Sequence, residues 1–121
     1  MAPDERGGGG GGEAGDGPDA LVVLVTCPSA EQAASLARTL VEERLAACGN
    51  VLPGLRSIYR WEGQVQDEPE ALLLLKTARG RFEALRERVL ALHPYQVPEV
   101  LALPVEAGSA AYLAWLAEGT R

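Results

Sequence analysis

The chain has 121 residues and a formal net charge of −6, enough for one domain and no more. Four of the six negative charges fall on the first 19 residues, so the rest carries no basic stripe of the kind that tracks a nucleic-acid backbone. No apolar run approaches the roughly 18 to 20 residues that a membrane span needs.

Residues 1–19 set the Gly7–Gly12 run and five acids (Asp4, Glu5, Glu13, Asp16, Asp19) against Arg6 alone. That composition buries too little apolar surface to offset chain entropy, which predicts a disordered acidic tail ahead of a single domain at 20–121. The tail has neither the basic start and apolar core of a secretory leader nor the arginines of a mitochondrial address, so a cytoplasmic location is expected. Cys27 and Cys48 stand far apart, with no CxxC and no histidine nearby. This spacing excludes the usual single-chain zinc site and predicts two reduced, packed thiols.

Leu21–Val25 is wholly apolar and rich in β-branched residues, as in a strand buried on both faces. Ser29-Ala30-Glu31-Gln32 has capping-box form and opens a helix expected from about 30 to 48, with Gly49 as its C′ residue. Pro53-Gly54 marks a bend in the incoming strand. From Leu55 the pattern alternates strictly: Leu55, Ser57, Tyr59 and Trp61 on one side, Arg56, Ile58 and Arg60 on the other. Glu62-Gly63 reads as a two-residue hairpin turn. Asp67-Glu68-Pro69 reads as an interruption of the return strand by a bulge or an edge, before the apolar run Ala71–Leu75.

A second helix is expected over 80–93, with Phe82, Leu85, Val89 and Leu92 on one face. Pro94 ends it, because a proline pushes the preceding residue out of the helical region. The segment His93-Pro94-Tyr95-Gln96-Val97-Pro98-Glu99 is therefore stiff, and it concentrates the only histidine, a tyrosine and a carboxylate in one connection. A strand at Val100–Val105 and a last helix between Gly108-Ser109 and Gly119 complete the chain, the helix offering Tyr112, Leu113, Trp115 and Leu116 as a docking face.

The order β-α-β-β-α-β plus one helix predicts an α+β, ferredoxin-like (split βαβ) fold: an antiparallel sheet with two helices packed on one face. The 55–77 ribbon is long for so small a body and carries Tyr59 and Trp61 outward. An exposed aromatic ribbon is a pairing hazard on a monomer, which argues for a homo-oligomer whose ribbons cover one another.

The motifs Glu43-Arg44-Leu45-Ala46-Ala47-Cys48 with Asn50, Ser57-Ile58-Tyr59-Arg60-Trp61-Glu62-Gly63 and Leu73-Leu74-Leu75-Lys76-Thr77 resemble the CutA divalent-cation tolerance family. So do His93–Glu99, Leu103-Pro104-Val105 and Tyr112-Leu113-Ala114-Trp115, in the family's order across residues 21–117. The resemblance implies a tight homotrimer similar to the PII-type signalling trimers, an association with tolerance and binding of copper or another divalent cation, and no catalytic reaction. It implies His93, Glu99 and Cys27 as the metal-ligating set; the ribbon itself places Tyr59 and Trp61 as interface packing and Arg56 and Arg60, on its other face, as partners in salt bridges across the trimer interface. The sequence departs from the family's pattern in three places. Val25 stands where some bacterial members have a strand cysteine, Leu92 where they have a second histidine, and Gly49 where a small aliphatic residue is usual.

Structural roles stand beside each of these. His93 is also readable as a helix-terminal residue bonded to a carboxylate, Glu99 as paired with an arginine, and Cys27 as a packed thiol. Two further classes stay open. A trimeric scaffold or signalling module would bind a small ligand or a protein partner at subunit clefts, without a metal. An enzyme would need more than a lone His-Glu pair, and the chain has no nucleophile elbow, Walker loop or HExxH.

Overall fold

The computed structural model describes residues 19–121. The tail expected to be disordered lies, Asp19 apart, outside the described residues. Four strands and three helices follow in the order β1 (Ala20–Cys27), α1 (Ala30–Glu42), β2 (Cys48–Trp61), β3 (Gln64–Ala78), α2 (Phe82–Leu92), β4 (Leu101–Pro104) and α3 (Ala110–Gly119). The strands form one antiparallel sheet in the order β2-β3-β1-β4, the ferredoxin-like arrangement.

The core lies between the sheet and α1 and α2. Val23, Val25 and Cys27 of β1 and Ala71, Leu73 and Leu75 of β3 point into it, and Leu36, Leu40, Leu85 and Val89 meet them from the helices. Leu92, expected on the same helix face, is exposed. Ser29 caps α1, its hydroxyl accepting from the Gln32 amide at 3.1 Å.

Helix α1 ends six residues earlier than the periodicity predicts. Arg44 takes a positive φ of 61°, and the chain reverses so that the Leu45 and Ala46 amides both donate to the Leu40 carbonyl. Leu45 is therefore buried by the returning chain and not by a further helical turn. Gly49 does not cap the helix; it lies in β2, where an added Cβ would sit 2.8 Å from the Ala37 Cβ. Its role is to let α1 approach the strand.

The hairpin turn forms as expected: Trp61 pairs with Gln64, and Glu62 and Gly63 take φ of 51° and 80°, the mirror-image turn that suits twisted strands. No bulge forms at Asp67–Pro69, since β3 runs unbroken from Gln64 to Ala78; the segment is an edge, the other alternative, because it pairs with β2 alone. The irregularity sits on the partner strand, between Leu52 and Leu55, where Pro53 and Gly54 (φ 79°) are accommodated. Pro69 is tolerated because this outer half of β3 has a neighbour on one side only.

The sheet has a second face. Direct cross-strand partners project to the same side, so Val22 and Leu24 align with Leu103 and Leu101 on one flank. Leu24 is likewise opposite Leu74, and Leu72 follows two residues earlier on β3. Leu101 and Leu103 remain 56% and 50% exposed. Helix α3 belongs to this side: it lies against Cys48, whose register partner is Lys76, while buried Leu116 and Gly119 beside Ala47 anchor its end. Its Tyr112 and Trp115, ring centroids 5.4 Å apart, stay about half exposed.

Candidate functional site

The connection after α2 is held in place by the His93 ring. Its backbone turns extended at ψ 138°, as the following proline requires. The Nε2 atom lies 2.8 Å from the Thr26 carbonyl oxygen, and Nδ1 accepts the Tyr95 amide at 3.2 Å. A carbonyl only accepts and an amide only donates, so the proton is on Nε2 and the Nδ1 lone pair is used. The ring is 8% exposed and stacks at a tilt on Tyr95, centroids 4.6 Å apart. His93 thus clips the connection to β1 through backbone groups, not through a carboxylate.

The clip aims Tyr95 back at the sheet, where its hydroxyl donates to Glu70 at 2.5 Å. Burial first, and this bond second, push the Tyr95 phenol well above its ordinary value. Farther along the ribbon the Tyr59 hydroxyl donates to Glu68 at 2.6 Å, which raises that phenol too. Between ribbon and connection lies an open cleft of about 770 Å³, lined by Ser57, Tyr59, Trp61 and Glu70 on one side and by Pro94–Val97 and Glu99 on the other.

His93 and Cys27 border a different, smaller cavity of about 240 Å³ on the α1 side, and Pro94 separates the two spaces by lining both. Cys27 and His93 therefore share one cavity, and Glu99 lines the other. Cys27 is 2% exposed, and burial, with the Glu70 carboxylate second, pushes its thiol up to about 11. A thiol so held is protonated at neutral pH and is a poor ligand. Among the described residues no group of three His, Cys, Asp or Glu side chains converges to hold a metal ion. A copper centre formed by His93, Cys27 and Glu99 of one chain does not fit this arrangement, because it needs an imidazole lone pair already used and a thiolate that burial opposes.

Arg56 and Asp67 form a two-point ion pair at 2.8–2.9 Å within the ribbon, on the face opposite Tyr59. Arg60 reaches the Gly63 carbonyl at 3.5 Å. Glu70 is the cleft residue that reading the sequence missed. The only signal was a carboxylate immediately before the apolar run of β3.

Residues 21–119 match the family model described as CutA1 divalent ion tolerance protein. The chain belongs to the CutA1 family. Over 99 residues it is 59% identical to the divalent-cation tolerance protein CutA of Thermus thermophilus, covering 82% of this chain and 96% of that one. Over 101 residues it is 50% identical to the chloroplastic CutA protein of Arabidopsis thaliana, covering 84% of this chain but 56% of the plant protein. Against the plant and animal CutA relatives the chain thus spans little more than half of their length. The solved structure of the Thermus thermophilus divalent cation tolerance protein superposes with a TM-score of 0.82 at 57% identity, over 84% of this chain and 99% of that one. The CutA1 structure from Oryza sativa gives 0.83 at 47%, over 87% and 96%.

Proposed function

We propose that the protein works as a cytosolic homotrimer, PII-like in assembly, that contributes to tolerance of copper or another divalent cation without catalysing a reaction. One observation carries the assembly. The second face of the sheet presents Val22, Leu24, Leu72, Leu74, Leu101 and Leu103; a single chain covers the first four only in part and leaves Leu101 and Leu103 about half exposed. Burying such a face against copies of itself supplies the driving force for a closed symmetric oligomer. The free thiols Cys27 and Cys48 suit a reducing compartment. With the ligands of one chain divided between two cavities, cation binding falls to Glu99 at the cleft, completed by groups of a neighbouring subunit.

Sedimentation equilibrium of the purified chain tests the assembly, with a mass of three chains expected down to micromolar concentration. A soluble monomer there sinks the reading. Calorimetric titration with copper(II) then tests the cation: saturation at a fixed ratio per subunit is expected, and heat that never saturates removes copper from the function.

A second reading rests on the cleft itself, whose size and aromatic lining suit a small ligand. It predicts binding there whether or not metal is added.

A further inference from the structure

We propose that in the assembled protein the Lys76 ammonium of one subunit enters the cleft of the next and pairs with Glu70 there. The inference rests on the trimeric reading above and names the contact that fixes how the subunits meet.

The strands of the sheet hold three basic residues, Arg56, Arg60 and Lys76. Because β3 alternates without a bulge, Lys76 shares the second face with Leu74, Leu72, Glu70 and Glu68, whereas Arg56 and Arg60 project from the other side. The assembling face thus carries carboxylates at the ribbon end of β3 and a single cation at the far end. Lys76 stands six positions after Glu70, about 20 Å along the strand, so the two side chains of one chain do not meet. The Lys76 Nζ donates instead to Asn50 Oδ1, a neutral acceptor, and among the described residues no carboxylate pairs with it. Glu70 accepts the Tyr95 hydroxyl and has lone pairs to spare.

Assembly makes both charges costly. Each is already half-buried in one chain. The ribbon wall of the cleft projects from the same face as Leu72 and Leu74, so covering those leucines takes water from Glu70 and Lys76 alike. A buried charge without a partner is expensive, and the two together offset that cost. In a head-to-tail ring each subunit presents one end of β3 to the opposite end of its neighbour's, which joins every Lys76 to a Glu70. The cleft, about 770 Å³ and walled by Tyr59, Trp61 and Tyr95, has room for the lysine stem against its rings. A free anion held by Lys76 would leave Glu70 unpaired. Glu99 stays available for the divalent cation.

The test begins with the unmodified full chain. Lys76 is its only lysine, so a carbodiimide, which joins touching amines and carboxylates, links subunits through that amine or the N-terminal one alone. Covalent dimers and trimers are expected on a denaturing gel, with two copies of tryptic peptide 61–79 joined from Lys76 to Glu70. The second measurement is a double-mutant cycle on trimer dissociation at one fixed urea concentration, with Lys76→Met, Glu70→Gln and both together. Each single variant is expected to weaken every interface at least about tenfold, and the double variant by less than the product of the two. Positions about 20 Å apart in one chain otherwise act independently, so the coupling itself reports a contact between subunits. Independent effects, Lys76 linked to another carboxylate or to none, or a trimer weakened by Lys76→Met but not by Glu70→Gln each overturn the proposal. If a variant does not fold, the cross-link decides. An unmodified chain that sediments as a monomer removes the trimer itself, whereas failure of the link or the coupling in an intact trimer removes this contact alone.

Discussion

Replacing His93 separates a structural clip from a metal ligand. The His93→Ala variant removes one donor and one acceptor at once, leaving the Thr26 carbonyl and the Tyr95 amide without their ring partners. Each buried polar group left unpaired costs about 1–3 kcal/mol. The adjoining cavity of about 240 Å³ has room for water to re-pair one of them, so the loss should fall near the lower end of the sum, about 3 kcal/mol. Two partial replacements sharpen the argument. In His93→Asn the new side-chain amide oxygen stands close to where Nδ1 was and keeps an acceptor for Tyr95, while His93→Gln keeps a donor for Thr26. Each should recover roughly half of the loss. The assay is urea unfolding followed by tryptophan fluorescence, at one fixed protein concentration because oligomer stability depends on it. The same variants are then titrated with copper(II). Stability within about 0.5 kcal/mol of wild type for all three, together with copper heat abolished in His93→Ala, would refute the clip and restore the ring as a ligand.

Thr77 is fully buried, and its hydroxyl donates to the Leu45 carbonyl at 2.7 Å, tying the reversed chain after α1 to β3. Thr77→Val should cost about 1–2 kcal/mol in urea unfolding and Thr77→Ser less; a neutral Thr77→Val would show that water or backbone shift replaces the bond. Glu43 is held below the ordinary carboxylate range chiefly by the hydrogen bond from Arg88, whose charge adds to it while burial opposes. Its folded pKa being depressed, the unfolded state binds the proton more tightly, so the contribution is present above the ordinary carboxylate value and lost as pH falls through the folded one. Urea midpoints of wild type and Glu43→Gln should differ at about pH 6 and converge by about pH 3; a gap that stays constant would exclude Glu43 from the acid response.

Much of the fold was legible because its signals were local and redundant. The apolar run Leu21–Val25 falls inside a strand that extends to Ala20 and Cys27 and is fully buried on one face only, while the Ser29 cap, the Glu62-Gly63 turn and the stop at Pro94 each stand where backbone chemistry puts them. The misplaced end of α1 shows what periodicity cannot see. Leu45 keeps helical spacing from Val41, yet it is buried by a reversal centred on Arg44, a residue that does not advertise a positive φ as glycine does. Gly49 was read through its usual capping role. Its actual constraint, the approach of Ala37 across the helix-sheet contact, links positions twelve apart and is invisible along the chain. At Asp67–Pro69 the edge alternative holds and the bulge does not: a proline breaks a strand only where both neighbours need its amide, and the outer half of β3 has one neighbour.

The site was legible in its parts and not in its grouping. His93, Glu99 and Cys27 were each noticed for ligand chemistry, but side-chain identity says nothing about which lone pairs the fold has already used. The His93 ring spends both nitrogens on backbone groups, and Cys27 faces the helix-side core because β1 alternates with period two. The Tyr59 face of the ribbon, read as interface packing, carries Glu68 and Glu70 as well, because residues directly across an antiparallel pair share a side and Leu55 lies opposite Glu70. Stiff connection, aromatic ribbon and carboxylates thereby become three walls of one cleft. Two of the three residues noticed for ligand chemistry, His93 and Cys27, are thus tied into the framework of the chain, and the open space beside them is walled by aromatics and acids.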